Sequence, residues 1–342
     1  MDPFKKRQLG KTSVWLPQFG FGGAGLGNLF DDIEDTTADE TLAAAWEAGV
    51  SFYDTSPWYG RGLSEHRFGR ALYRKPRNEF ILSTKVGRLF SAPRDIDAFA
   101  ASERAWQHGL EFAHRHDYTY EGVMRSFEDS LQRLRLNRID LLIIHDLDSL
   151  VLGSERLVDA HLTQLATGGM LALQDLKAAG KIKAIGAGVN QTGTIPKFLD
   201  MLDLDFFLVA LPYTLAEQPV LDVEFPLCEK RGVGVIIGAV FASGILATGP
   251  APGAKYNYRD PTSEEADRIR RIEAICKKFD TPLAAAALQF TLHHPAVASI
   301  IPGAIHPSQV KRNIELFRHE TPRELWSELK SQRLLRSDAP TP

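Results

Sequence analysis

Eight apolar runs alternate along this chain with segments of helical period, and that alternation limits the folds open to it. The runs are QFGFG (18–22), VSFYD (50–54), EFILSTK (79–85), RIDLLIIHD (138–146), KIKAIGAGVN (181–190), DFFLVALPY (205–213), VGVIIGAVF (233–241) and VASIIPG (297–303). Several are nearly continuous in hydrophobicity, as parallel strands covered on both faces are. Between them lie helical stretches. In residues 120–136, Val123, Phe127, Leu131 and Leu134 fall on one helix face. ADETLAAAWEAG ends at Gly49 and GMLALQDLKAAG at Gly180, each leading into the next run. This repeat predicts an α/β chain folded as a (β/α)8 TIM barrel, one domain over residues 1–335, with an N-terminal hairpin in residues 7–21 and insertions in the rim loops. A doubly wound open sheet gives a similar alternation.

Composition narrows the functional classes. A formal net charge of −3, with basic residues scattered rather than striped, argues against a nucleic-acid or anionic-membrane binder. No apolar stretch approaches the roughly 18 residues of a membrane span, and MDPFKKRQLG has no apolar leader segment. Two cysteines, Cys228 and Cys276, are expected as reduced, packed thiols in a cytoplasmic protein. The tail from 336 to 342, RSDAPTP, is expected to be unordered. No metal is expected: His114 and His116, and the adjacent His293 and His294, have no cysteine or carboxylate partners at metal-site spacing.

Polar residues close three consecutive apolar runs: Asp54, Lys85 and His145. Tyr59 follows Asp54 in the Pro/Gly-bounded loop of FYDTSPWYG. If those runs are neighbouring parallel strands, the four side chains meet at the strand C-terminal rim, where such barrels place their sites. A phenol of lowered pKa can give and take the proton of a carbonyl or alcohol oxygen. Lys85 is expected to favour the phenolate, Asp54 to hold Lys85, and His145 to orient the substrate oxygen. No side chain donates hydride, so a nicotinamide cofactor is implied. GFGGAG matches G-x-G-x-x-G through Gly20, Gly22 and Gly25, but no helix opens after it, so a glycine-rich strand end beside a ligand fits better. Two long rim segments, 87–117 and 247–261, are expected as lids or binding loops.

DTSPWYG, STK, LLIIHD, GVN and IPGAIHPSQVKRN together resemble the aldo-keto reductase superfamily, from Arg7 to about Phe317. The resemblance implies a barrel with an extended NAD(P)H across the rim and Asp54, Tyr59, Lys85 and His145 as its catalytic tetrad. It further implies cofactor contacts from Gly22, Gly23, Asp54, Asn190, Phe241, Ser243, Gly244, Leu246, Gly303, Gln309 and Asn313. Val189 stands where the family commonly has serine and Leu211 where it commonly has glutamine, which leaves more of the carboxamide recognition to Asn190. Gly303 and Gln309 occupy positions that are cationic in NADPH-using relatives, so NAD is the expected cofactor, with NADP possible through Lys311 or Arg312.

Within the family, GFGGAGLGNLF, SPWYGRGLSEHRFGRAL and STKVGR look similar to sugar 1-dehydrogenases of the L-fucose or D-threo-aldose type, to L-galactose dehydrogenase and to pyridoxal 4-dehydrogenase. That similarity implies oxidation of a cyclic hemiacetal to a lactone, with Trp58, Tyr59, Trp106, His108 and His145 about the substrate. The expected partner is a small molecule, and the chain is a monomer or small homo-oligomer. An NADPH-dependent aldehyde or ketone reductase and a redox-sensing binding subunit are the alternatives.

Overall fold

In the computed structural model, which describes residues 1–102 and 106–342, the expected hairpin comes first. Strands β1 (Lys6–Gln8) and β2 (Trp15–Pro17) pair antiparallel. The barrel strands are β3 (Phe21–Gly22), β4 (Phe52–Asp54) and β5 (Ile81–Val86), and then, beyond a rim hairpin of β6 (Arg88–Ser91) and β7 (Ala113–His116), β8 (Leu141–Ile144), β9 (Ala184–Val189), β10 (Phe206–Val209), β11 (Gly234–Ile237) and β12 (Val297–Ile300). The eight barrel strands form one parallel sheet in chain order. Its two ends meet through parallel bridges Phe19↔Ile300 and Gly22↔Gly303, with Gly20 N donating to Ile300 O at 2.8 Å and Gly22 N to Pro302 O at 3.1 Å. A closed eight-stranded parallel barrel, not a doubly wound open sheet, is therefore the architecture.

Both strand faces are apolar for separate reasons. Phe52, Leu141, Ile143, Ala184, Phe206, Leu208, Ile236 and Ala298 point into the barrel, and Leu9, Val14 and Leu16 of the hairpin segment pack with them to stop its lower mouth. Tyr53, Leu82, Leu142, Ile144, Ile185, Phe207 and Val235 belong instead to the larger core that includes the surrounding helices. Hence the runs lack polar alternation.

The glycine-rich segment after the hairpin belongs to the closing seam. A Cβ on Gly22 would lie 2.6 Å from the Ile301 carbonyl oxygen, and one on Gly23 2.7 Å from that of Asp54. Backbone approach across the seam, rather than a phosphate-binding turn into a helix, accounts for GFGG.

The 87–117 insertion is organised by β6 and β7, which pair from Arg88↔His116 to Ser91↔Ala113. A helix, Ile96–Ser102, lies in its middle, and residues 103–105 of the insertion lie outside the described residues. The 336–342 segment makes contacts with the rest of the fold. Leu334, Leu335 and Ala339 are buried, and the Arg336 guanidinium pairs with Asp222 at 2.6 Å and with Asp338 at 2.7 Å. A small apolar anchor and a two-carboxylate clamp hold a segment that composition alone describes as polar. Cys228 and Cys276 are free and buried, and burial pushes both thiols up to about 12. Among the described residues no helix is long and apolar enough to cross a membrane.

Gly22→Ala is expected to destabilise the fold by about 1–3 kcal/mol, because the new methyl meets backbone that cannot yield without opening the seam. Urea unfolding of the variant against the parent chain measures it.

Candidate active site

The period of two along each strand places the rim side chains. Asp54 shares the inward face with Phe52, Lys85 with Ile81 and Ser83, and His145 follows Leu141 and Ile143 on the same face. All three therefore rise from the barrel interior at its mouth. Lys85 Nζ donates to Asp54 Oδ2 at 2.8 Å and to Thr55 O at 2.8 Å, and Ser83 Oγ donates to Asp54 Oδ1 at 2.7 Å. Both members of the ion pair are buried. The Lys85 ammonium sits 4.5 Å from the centroid of the Tyr59 ring, whose other neighbours are His145 at 5.8 Å and Trp106 at 5.9 Å between centroids.

One sequence expectation reverses here. The Tyr59 phenol is pushed well above its ordinary pKa, first by burial and then by the Asp54 and Asp146 carboxylates, with the Arg88 guanidinium opposing them. Lys85 does not offset this, because its charge is engaged by Asp54. Tyr59 therefore holds its proton at neutral pH.

His145 is pushed the other way. Burial, and then Arg88 and Lys85, carry it well below the usual histidine range against the pull of Asp146, so the ring is neutral. Arg88 NH1 lies 2.9 Å from His145 Nδ1 and Ser56 Oγ 3.0 Å from the same nitrogen, while Nε2 faces Asp146 Oδ2 at 3.2 Å. Asp146 itself adopts a left-handed backbone, φ 44°, at the strand end. Burial raises its carboxyl, but the Arg88 guanidinium, the hydrogen bond from Asn190 and the Lys85 ammonium outweigh that and hold it low.

Beside this rim lies a cavity of about 310 Å³ bounded by Gly22, Gly23, Asp54, Tyr59, Phe241, Ser243, Gly244, Gly303 and Gln309. A second, of about 660 Å³, shares Phe30, Asp31, Phe241, Ser243, Gly244, Gly303 and Gln309 with it and runs on to Arg312, Asn313 and Leu316. Together they make one trough from the phenol to the helix Pro307–Arg318. Its floor after β11 is laid by residues with left-handed backbones, Ala239 (φ 48°), Ala242 (φ 47°), Ser243 (φ 65°) and Gly244 (φ 116°). An extended dinucleotide fits such a trough. The Gln309 carbonyl accepts from Ile305 N at 2.8 Å, leaving the amide protons to donate. Asn313 donates to Gly303 O at 3.3 Å, leaving its carbonyl to accept.

Of the residues expected to touch cofactor, Gly22, Gly23, Asp54, Phe241, Ser243, Gly244, Gly303, Gln309 and Asn313 line the trough. Leu246 does not: its side chain is wholly buried in the core and its N–H donates to Phe241 O at 3.1 Å. Asn190 lies beyond the trough wall, where its amide donates to Asp146 Oδ1 and Asp148 Oδ2, each at 3.0 Å, leaving only its carbonyl free.

Trp58 and Trp106 form an edge-on pair, 5.8 Å between ring centroids, beside Tyr59, and the buried Trp106 indole N–H has no partner among the described residues. His108 is placed elsewhere: its ring is 81% exposed and pairs with Asp32 at 2.5 Å, tying the insertion to the loop after β3. Sequence reasoning missed Ser56, Arg88, Asp146, Phe30, Asp31 and Tyr258. Arg88 and Asp146 each sit within three residues of a chosen rim residue, and Tyr258 lies in a loop already marked by its length. Only the fold shows that they face the site.

A buried cation beside a half-buried phenol at a parallel-barrel rim, opening on a long trough, are the parts of a barrel oxidoreductase. The comparisons name the class. The aldo/keto reductase family matches residues 18–333, and the chain belongs to that family, whose members are NAD(P)-dependent oxidoreductases acting on small molecules. It is 40% identical over 339 residues to a pyridoxal 4-dehydrogenase of Microbacterium luteolum, covering 97% of this chain and 98% of that protein. It is 38% identical over 330 residues to a D-threo-aldose 1-dehydrogenase of a Pseudomonas species, covering 96% of each. Among solved structures, the holo form of the aldo-keto reductase AKR11C1 from Bacillus halodurans superposes with a TM-score of 0.73 at 25% identity over 98% of both chains.

Five histidines are held below their ordinary range by burial: His66, His145, His116 at about 3, and His293 and His294 at about 4. Their depressed folded values stabilise the fold fully above the unfolded value of about 6.5. That contribution is lost progressively as pH falls toward the folded values. The thermal midpoint should therefore decline from pH 7 to pH 4.5, and His293→Gln should flatten the slope.

Proposed function

We propose that this enzyme oxidises the anomeric carbon of a cyclic hemiacetal, an aldose of the L-fucose or D-threo-aldose type, to a lactone with NAD. The carrying observation is the wall beside Tyr59: Trp58 and Trp106 supply an aromatic surface, and the Trp106 N–H, without a partner among the described residues, supplies a buried donor. Polyols are bound by that combination of apolar ring and directed hydrogen bond. The names of the two similar dehydrogenases support the same chemistry, with pyridoxal in its hemiacetal form as the alternative substrate.

The roles follow from the geometry. Asp54 and Ser83 fix Lys85, whose ammonium faces the Tyr59 ring. Tyr59 exchanges the proton of the substrate oxygen, and His145 orients that oxygen. Phe241, Ser243, Gly244, Gly303, Gln309 and Asn313 would hold the dinucleotide along the trough. When bound, NAD supplies the hydride acceptor that the side chains lack, and its cationic ring favours the phenolate. The high pKa of Tyr59 favours a second reading, aldehyde reduction by NADPH, in which the phenol is the proton donor.

Initial rates with NAD and NADP across L-fucose, L-galactose, D-arabinose, D-glucose and pyridoxal separate these readings, with Tyr59→Phe as control. Oxidation confined to sugars of the fucose configuration is the expected result, with Tyr59→Phe slower by about 10²–10⁴. Reduction of aldehydes without any oxidation would sink the proposal.

NAD preference rests on the neutral Gly303 and Gln309 in the trough wall. Gln309→Arg should move the NADP/NAD ratio of kcat/KM roughly 10-fold or more toward NADP, the worth of one charge-assisted hydrogen bond. An unchanged ratio would place the 2′-hydroxyl site elsewhere.

A further inference from the structure

Arg88 opens the rim insertion yet is almost wholly buried, with 3% of its side chain exposed. Its guanidinium stacks over Trp58, 4.9 Å from Cζ to the ring centroid. NH1 reaches His145 Nδ1 at 2.9 Å and NH2 reaches Asp146 Oδ2 at 3.3 Å. Arginine carries donors only and does not deprotonate in proteins. A ring nitrogen facing it at hydrogen-bond distance must therefore be an acceptor, and a neutral imidazole that accepts at Nδ1 carries its proton at Nε2.

We propose that Arg88 is a positioning residue: it holds His145 as the neutral Nε2–H tautomer and ties that choice to docking of the 87–117 insertion. Ser56 Oγ, 3.0 Å from Nδ1, lies on the same side, and Tyr118 Oη donates to the His145 carbonyl at 2.7 Å to fix the backbone. Nε2–H is then left facing Asp146 and the mouth of the barrel. The other groups that face His145 are Tyr59 from the loop after β4, Lys85 from β5 and His116 from β7. Arg88, Lys85 and His116 disfavour an imidazolium, and only Asp146 favours one. A histidine on the opposite tautomer would present a lone pair where a substrate oxygen needs a donor. The proposal rests on the oxidoreductase reading for its consequence in catalysis, but the tautomer itself is observable without substrate.

Long-range 1H–15N correlation on the ¹⁵N-histidine-labelled full chain, with NAD(H) added and His145 assigned by His145→Asn, tests it. The wild-type ring should show the Nε2–H pattern from pH 5 to 8 without titrating. An Nδ1–H ring, or an imidazolium forming in that range, overturns the proposal regardless of substrate. Arg88→Met, which removes both donor and charge, should give mixed tautomers. Its His145 pKa should rise toward the ordinary value of about 6.5, so an acid limb appears in kcat/KM as pH falls through that value. At pH 8 kcat should fall about 10- to 100-fold. KM for the dinucleotide should not move, since Arg88 does not line the trough. Arg88→Lys, which keeps a charge and a donor, should restore the Nε2–H pattern and most of kcat. A flat profile in Arg88→Met with an unchanged tautomer would refute the assignment. If Arg88→Met does not fold, the wild-type and Arg88→Lys spectra decide the question by the same patterns.

Discussion

The Lys85–Asp54 pair is the interaction on which the barrel mouth depends. Two charges removed from water cost several kcal/mol each, and only close pairing with further hydrogen bonds offsets that. Here Ser83, Thr55 and the pair itself supply those bonds, from two adjacent strands and the turn between β4 and Tyr59. Removing either partner would strand the other in the barrel interior, a loss on the order of 3–5 kcal/mol. The pair also shapes the charge around the phenol: with Lys85 engaged by Asp54, burial and the Asp54 and Asp146 carboxylates, opposed by Arg88, govern its proton.

Around that pair, long connections supply the walls. Arg67 donates to Leu26 O and Asn28 Oδ1 at 2.8 Å each and to Ile33 O at 2.7 Å, and pairs with Asp35 at 2.9 Å. It thereby pins the loop whose Phe30 and Asp31 face the trough. From the other side, Gln107 N donates to Asn28 O at 2.7 Å and Leu110 N to Gly60 O at 3.0 Å, so the insertion is clipped to the same loop and to the turn that carries Tyr59. Opposite them, Tyr258 N donates to Ser243 Oγ at 2.9 Å, bringing its loop against the trough floor. Backbone and guanidinium contacts, rather than a separate domain, enclose the site.

Strand order, the hairpin and the four rim residues were legible because period and strand-end position carry them directly. Asp54, Lys85 and His145 each end an apolar run on its inward parity, so a parallel sheet must gather them. The environment of those residues was not legible. The direction of the Tyr59 shift is set first by burial and then by Asp54 and Asp146, with Arg88 opposing, surroundings that only the fold assembles. His108 read as a rim polar group, but its partner Asp32 lies in a loop without a periodic signature. Leu246 followed a family position whose side chain here turns into the core. In the tail one alanine and one arginine make the contacts, too few residues to register in composition.

The seam between β3 and β12 joins the beginning of the chain to its end, and Gly22 and Gly303 face each other across it. The trough straddles that junction, with Gly22 and Gly23 on one bank and Gly303, Gln309 and Asn313 on the other. Neither bank alone forms the trough, which exists only once the last barrel strand has closed against the first. A ligand that bridged the two banks would act as a clasp on the ring's final closure.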